Sequence, residues 1–176
     1  MKLTPVMEKY VLHWGEMGSR WGVNRTVAQI HALLYLSPGP LNAEEIAKTL
    51  SVARSNVSTS LKELLAWDLV KVVHIMGDRR DHFECVKSRW DMLLLIMDGR
   101  KRREIDPVLK TLRECVRECE EDQETEPEIK AHMTELLEFL EVLTGWFEQM
   151  KRMPRPTIKR LIKMGASIQH FVRRED

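Results

Sequence analysis

Residues 41–86 read LNAEEIAKTLSVARSNVSTSLKELLAWDLVKVVHIMGDRRDHFECV, and the punctuation within them decides the fold. Asn42, ahead of AEEIAKTL, offers a side-chain oxygen to the unpaired N–H groups of a helix start. Glu45 stands three residues later, the spacing of a capping box. Ile46, Ala47 and Leu50 give this short helix one apolar stripe, with Ala47 small where another helix must cross. Ser51, Val52 and Ala53 make a tight turn. A second helix starts near Arg54, and in it Val57, Leu61 and Leu64 recur at four and three residues, so they share a buried face.

The other side of that helix carries Ser55, Thr59 and Lys62, with Asn56 and Ser58 on the flanks. Short donors and acceptors near a helix N-terminus, with cations such as Arg54 and Lys62, reach base edges and phosphates without steric conflict. Taken alone, the same face reads equally as a solvated surface. Residues 70–76 and 82–86 then follow as short strand-like runs around Gly77, Asp78, Arg79, Arg80 and Asp81, which predicts a hairpin with a charged tip. Arg79 and Arg80 on a protruding turn suit phosphate contacts or minor-groove insertion, and Asp78 and Asp81 are placed to orient the two guanidiniums. Helix, turn, helix and hairpin in that order predict a winged helix-turn-helix, a device for laying a helix in the DNA major groove.

Four stretches, WGEMGSRWGVNRTVAQIHALLYLS, PLNAEEIAKTL, ARSNVSTSLKELLAWDLV and GDRRDHFE, run between residues 14 and 84 and resemble the MarR superfamily of winged-helix regulators, more closely its GbsR-type branch. After Glu84 the similarity is one of pattern only. The resemblance implies a dimeric, ligand-responsive transcription factor, often a repressor, acting on a double-stranded DNA operator. Members of the branch are associated with choline and glycine betaine metabolism, which implies a small-molecule effector such as choline or a related osmolyte.

The wider composition agrees with a DNA-binding helical protein without demanding one. The chain has 176 residues, 43% hydrophobic and 31% charged, with a net charge of +1. Attraction to DNA must therefore be local rather than global. No apolar run approaches the roughly 20 residues of a membrane helix, and the N-terminus lacks a signal-peptide layout. Three cysteines form no paired framework, which fits a reducing, cytoplasmic setting.

Along the chain, Thr4 and Pro5 open a first helix that Gly22 ends, and Gly15 and Gly18 within it permit close approach of another helix or a ligand. Tyr10, Trp14 and Trp21 suit an aromatic cage for a quaternary ammonium effector, to which Trp67 and Trp90 would converge. The alternative for each is ordinary packing in the core or a dimer interface. Asn24 caps a second helix that Ser37, Pro38, Gly39 and Pro40 stop, and Pro40 and Leu41 add a short strand beside the wing.

Beyond the wing, Ser88 caps a helix that meets the basic run Arg100, Lys101, Arg102 and Arg103, read either as a DNA-backbone contact or as an exposed helix turn. Asp106-Pro107 marks either a new helix or a kink in one long helix. Thr125 to Glu128 has capping-box spacing. From there Ile129, Met133, Leu136, Leu140, Leu143, Phe147 and Met150 alternate by four and three, a coiled-coil or antiparallel-pair seam. The last helix carries Ile158, Leu161, Ile162, Ile168 and Phe171 among the basic Lys159, Arg160, Lys163, Arg173 and Arg174.

Enzymatic signatures are not evident. Cys115 and Cys119 lie one helical turn apart without a third ligand nearby and read as buried thiols, while His13 and His31 read as satisfied polar groups inside packed helices. No phosphate loop, nucleophile elbow or metal motif appears, so no cofactor is expected. The expected architecture is mainly α with a small β-wing: residues 1–23 a helix joining the dimerisation region, 24–90 the winged helix-turn-helix domain, and 91–176 helical dimerisation arms. The competing reading is a winged-helix assembly module that never touches an operator; its wing tip and second helix would then be apolar or acidic, and here they are basic and small-polar.

Overall fold

The local signals of the central stretch become structure almost residue for residue. A computed structural model describes residues 1–172, with side chains through residue 164. Its contacts divide the chain into two units, Met1–Met97 and Asp98–Asp176. The first contains α1 (Pro5–Arg20), α2 (Arg25–Leu36), β1 (Leu41–Asn42), α3 (Ala43–Leu50), α4 (Arg54–Ala66), β2 (Val70–Val73) and β3 (His82–Cys85), and most of α5 (Arg89–Arg100). The three strands form an antiparallel sheet in the order β1-β3-β2, with Leu41 opposite Phe83 and Val72 opposite the same Phe83 from the other side. This is a mostly helical winged-helix fold with a small three-stranded wing.

Caps fix the helix starts. The Thr4 hydroxyl accepts from Met7 N–H, and Asn24 Oδ1 accepts from Thr26 N–H at 2.8 Å. At α3 both halves of the capping box form: Asn42 Oδ1 accepts from Glu44 and Glu45 N–H, each at 3.0 Å, and Glu45 Oε2 accepts from Asn42 N–H at 2.9 Å. Ser51 ends α3 in the left-handed region (φ 54°) and turns the chain toward α4.

The core of this unit gathers Ile30, Leu33 and Leu34 from α2, Ile46 from α3 and Val57 from α4, all fully buried, with Met92, Leu95 and Ile96 of α5 packed against it. The glycines of α1 serve helix crossing: a Cβ on Gly18 would stand 2.4 Å from the Ala28 Cβ, and one on Gly15 2.6 Å from the Gln29 Cγ. Only glycine lets α1 lie that close to α2. The Lys87 ammonium, just past β3, donates to the carbonyls of Leu34, Tyr35 and Ser37 at 2.8, 2.8 and 2.7 Å. A cation on the unpaired carbonyls of a helix end is favourable in hydrogen bonding and in dipole terms, and here it ties the base of the wing to α2.

The two histidines of these helices differ from expectation. His13 is exposed. His31 is buried, yet its Nε2 has no hydrogen-bond partner among the described residues, and burial pushes its pKa down to about 4.

In the second unit, a π-helical turn (Lys101–Ile105) leads from α5 into α6 (Asp106–Glu118), followed by α7 (Pro127–Arg152) and α8 (Arg155–Val172). The choice between two helices and one kinked helix therefore resolves into continuous helical backbone with a wide turn ahead of Pro107. Proline cannot donate to the preceding turn and its ring crowds the carbonyl four residues back, and a π turn accommodates both defects. Lys101 in that turn pairs with Asp106 at 2.8 Å and Glu148 at 3.7 Å, and Arg102 with Asp98 at 3.2 Å, so the basic cluster is largely neutralised within its own unit.

α6 and α7 pack as an antiparallel pair crossed by Arg113 and Glu141 at 2.8 Å. The expected Thr125 cap does not form. The N-cap of α7 is Glu126, without a side-chain bond, and Asp122 instead accepts from the N–H groups of Glu124 and Thr125. Those two N–H groups sit in the loop, where the nearer carboxylate reaches them first. Cys115 and Cys119 are half-exposed free thiols rather than buried ones, both standing in the last turn of α6. In α8, Ile158 is buried while Leu161 and Ile162 are exposed. Arg173 and Arg174, and the side chains of Ile168 and Phe171, lie outside the described residues.

Candidate nucleic-acid interface

α4 turns its apolar positions inward and leaves its polar ones in solvent. Val57, Leu61 and Leu64 are buried, whereas Arg54, Ser55, Asn56, Ser58, Thr59 and Lys62 are all exposed. The face proposed for base edges is thus open along its whole length, and the body of the protein does not cover it. Ser60, which the apolar periodicity does not single out, is buried beside Leu61.

The wing tip is more ordered than a charged loop need be. Gly77 adopts φ +83° and Asp78 N–H donates to Ile75 O at 3.0 Å, closing a tight turn. Asp78 then grips Arg80: the guanidinium donates Nε to Oδ1 at 2.9 Å and Nη2 to Oδ2 at 2.6 Å, and Arg80 N–H donates to Oδ1 at 3.0 Å. The Arg80 hydrogen bonds hold the Asp78 carboxyl well below the usual carboxylate range, and the same bonds push the arginine up. Arg80 also stands 3.7 Å from Glu44 at the start of α3, and His82, buried beneath the tip, lies 3.6 Å from Asp78. Of the two acids expected to orient the arginines, only Asp78 does so; Asp81 faces His74 at 3.9 Å. Arg79 is exposed and forms no ion pair among the described residues.

Between α4 and the wing runs a cavity of about 390 Å³, lined among others by Arg54, Ser58, Lys62, Arg80, Phe83 and Glu44. Cations line both of its walls. Glu44 and Phe83 are the participants that sequence reasoning missed: the capping box accounted for the helix start but gave no sign that its first-turn acid would reach the wing.

The aromatic residues proposed for an effector do not all meet. Tyr10 and Trp14 stack on each other with centroids 5.6 Å apart, and Trp21 stands edge-on to Trp14 at 6.2 Å. The Tyr10 phenol is pushed up by burial first, then by Tyr35 and Cys85 nearby. Trp67 belongs elsewhere: it is buried in the core at the end of α4, since the helix's own apolar face carries it inward. Trp90, in α5, is half-buried. Among the described residues no group of three metal-ligating side chains occurs, and no helix is long and apolar enough to cross a membrane.

Comparison with known proteins adds to this geometry. A search of curated proteins found no match. A crystal structure of a transcriptional regulator is similar to this chain with a TM-score of 0.66 at 17% identity, covering 90% of this chain and 99% of that one. Weaker likenesses are to MepR, a transcription regulator of the Staphylococcus aureus multidrug efflux pump MepA (TM-score 0.38, 16% identity, 78% and 93% covered), and to ZitR of Lactococcus lactis (TM-score 0.33, 20% identity, 70% and 75% covered). Residues 21–81 match the family model described as MarR family. That match runs from the end of α1 to the wing tip, so the winged helix-turn-helix of this chain is similar to that of the MarR family over this stretch.

Proposed function

We propose that the protein is a sequence-specific DNA-binding transcription regulator, a repressor acting in the cytoplasm as a homodimer. The observation that carries the reading is the exposed polar face of α4 set beside a wing tip whose Arg80 is pre-oriented by Asp78. Each subunit would lay α4 in a major groove, with Ser55, Asn56 and Thr59 toward base edges, and bring Arg79 and Arg80 to the neighbouring minor groove or its phosphates. Two-fold symmetry then calls for a palindromic operator with half-sites about one helical turn apart, roughly 34–36 Å.

Selection of binding sites from random duplexes tests this directly. The wild-type chain is expected to enrich a palindrome. Asn56→Ala and Thr59→Ala are expected to relax preference at one or two positions per half-site, by about 5- to 100-fold at a lost bidentate contact. Enrichment of no duplex sequence by the wild-type protein would refute the reading.

The effector we place in the same scheme is a small quaternary ammonium osmolyte such as choline, in keeping with the GbsR-type branch. Tyr10, Trp14 and Trp21 support it as one aromatic cluster, with cation–π attraction as the binding force. Such a ligand acts only by binding one arrangement of the two DNA heads better than the other. Calorimetric titration with choline should show heat that Trp14→Ala abolishes, together with weaker operator binding; no heat and unchanged operator affinity would remove this ligand class.

A further inference from the structure

The guanidinium of Arg80 has two hydrogen-bonding edges, and the wing uses one of them. Nε and Nη2 are occupied by Asp78, at 2.9 and 2.6 Å. Nη1 makes no hydrogen bond among the described residues, and Glu44 Oε2 faces it at 3.7 Å. That separation is too long for a hydrogen bond but short enough for charge attraction. The two side chains are 56% and 72% exposed, so water screens the pair and breaking it costs little.

Glu44 is not the acid that closes the start of α3. Glu45 makes the capping box, and Asn42 Oδ1 takes the N–H groups of both glutamates. Glu44 instead brings its carboxylate to the cleft between α4 and the wing, where the other charged lining residues are Arg54, Lys62, Arg80 and Asp81. Asp81 faces His74. Glu44 thus stands at the open edge of Arg80, in a cleft with cations on both walls, where an anion from outside the chain would stand.

We infer that this cleft receives one phosphodiester of the DNA backbone, and that Glu44 is a built-in competitor for it, covering the free edge of Arg80 until a phosphate displaces it. This role of the cleft rests on the DNA-binding function proposed above. Displacement favours the phosphate: an oxygen at hydrogen-bond distance from Nη1 makes a charge-assisted bond, roughly twice as strong as a neutral one, whereas Glu44 offers only screened attraction. Glu44 is a positioning residue that acts through Arg80. It opposes every duplex alike, because a phosphate contact carries no sequence information.

Anisotropy titration of the full chain with a random-sequence duplex at low salt tests this. Glu44→Gln is expected to bind about 5-fold tighter per wing, the scale of one unit-charge pair about 4 Å apart in water. The ranking of sequences should not change, and the gain should shrink as salt is added. Glu8→Gln, which removes the same charge from the first turn of α1, should leave affinity unmoved. In the Arg80→Ala background the gain from Glu44→Gln should fall below about twofold, since no phosphate is then seated in the cleft. A first-turn acid also steadies its own helix, but losing that role lowers thermal stability and does not tighten DNA binding. Unchanged or weaker binding by Glu44→Gln, an equal gain from Glu8→Gln, or a full gain without Arg80 overturns the inference. A Glu44→Gln gain in a protein that selects no palindrome from a random pool upholds the cleft while refuting the operator reading. Failure of both proteins to bind any duplex ends both.

Discussion

With Arg79 and Arg80 both changed to alanine, affinity for every duplex is expected to fall about 100- to 1,000-fold near physiological salt, with the ranking of sequences preserved. In the proposed dimer two wings lose four cations, and each lost phosphate contact also flattens the dependence of log affinity on log salt by about 0.9. The two arginines are not equivalent. Arg79 is exposed and without an ion pair among the described residues, so its loss removes a contact and nothing else. Arg80 is held in a bidentate grip by Asp78. Arg80→Ala therefore also leaves a bare carboxylate at the tip, facing the phosphates, and is expected to be the more damaging single change. Restoring the balance with Asp78→Asn in the Arg80→Ala background should recover part of the affinity. Anisotropy titrations across a salt series measure both the affinity and the slope. An affinity and slope unchanged in the double variant would remove the wing from the interface.

Acid is expected to destabilise the winged domain through His31. Its imidazole is buried, and burial lowers its pKa from the ordinary 6.5 to about 4. Above pH 6.5 the ring is neutral whether the chain is folded or unfolded, so it adds no pH dependence. As pH falls from 6.5 toward 4 the unfolded chain takes up a proton that the folded chain refuses, and stability drops by about 1.4 kcal/mol per pH unit, about 3 kcal/mol in all. His31→Leu removes both this term and the unpartnered Nε2. Denaturant unfolding at pH 7 and at pH 4.5 should show the variant gaining on the wild type as pH falls. A difference between the two proteins that stays constant over that range would mean that the folded chain protonates His31 as readily as the unfolded one.

Much of the winged helix-turn-helix is legible in order along the chain because its signals are local. A cap such as Asn42 acts within three residues, and the face assignment of Val57, Leu61 and Leu64 needs only the helical period. The exposed set from Arg54 to Lys62 follows as the complement of that buried face. Where partners come from other elements, the reading stopped. Glu44 reaches Arg80 across the gap between α3 and the wing, and nothing at either position announces the other. Lys87 finds its acceptors some 50 residues upstream. Trp67 stands three residues past Leu64 on the apolar face of α4 and joins the core there rather than the other aromatic side chains.

The amino-acid order by itself determined the succession of helices, the turn into α4, the hairpin and the polarity of the exposed α4 face, because hydrophobic period, caps and turn residues act over a few residues. Tertiary structure alone decided which of two acids holds Arg80, that His31 Nε2 meets no partner among the described residues, and which apolar residues of α7 stay exposed. Residues four apart on α7 differ by only about 40° around the helix. A stripe of spacing four and three therefore cannot be divided until α6 takes its share, and only then does the remainder stand exposed.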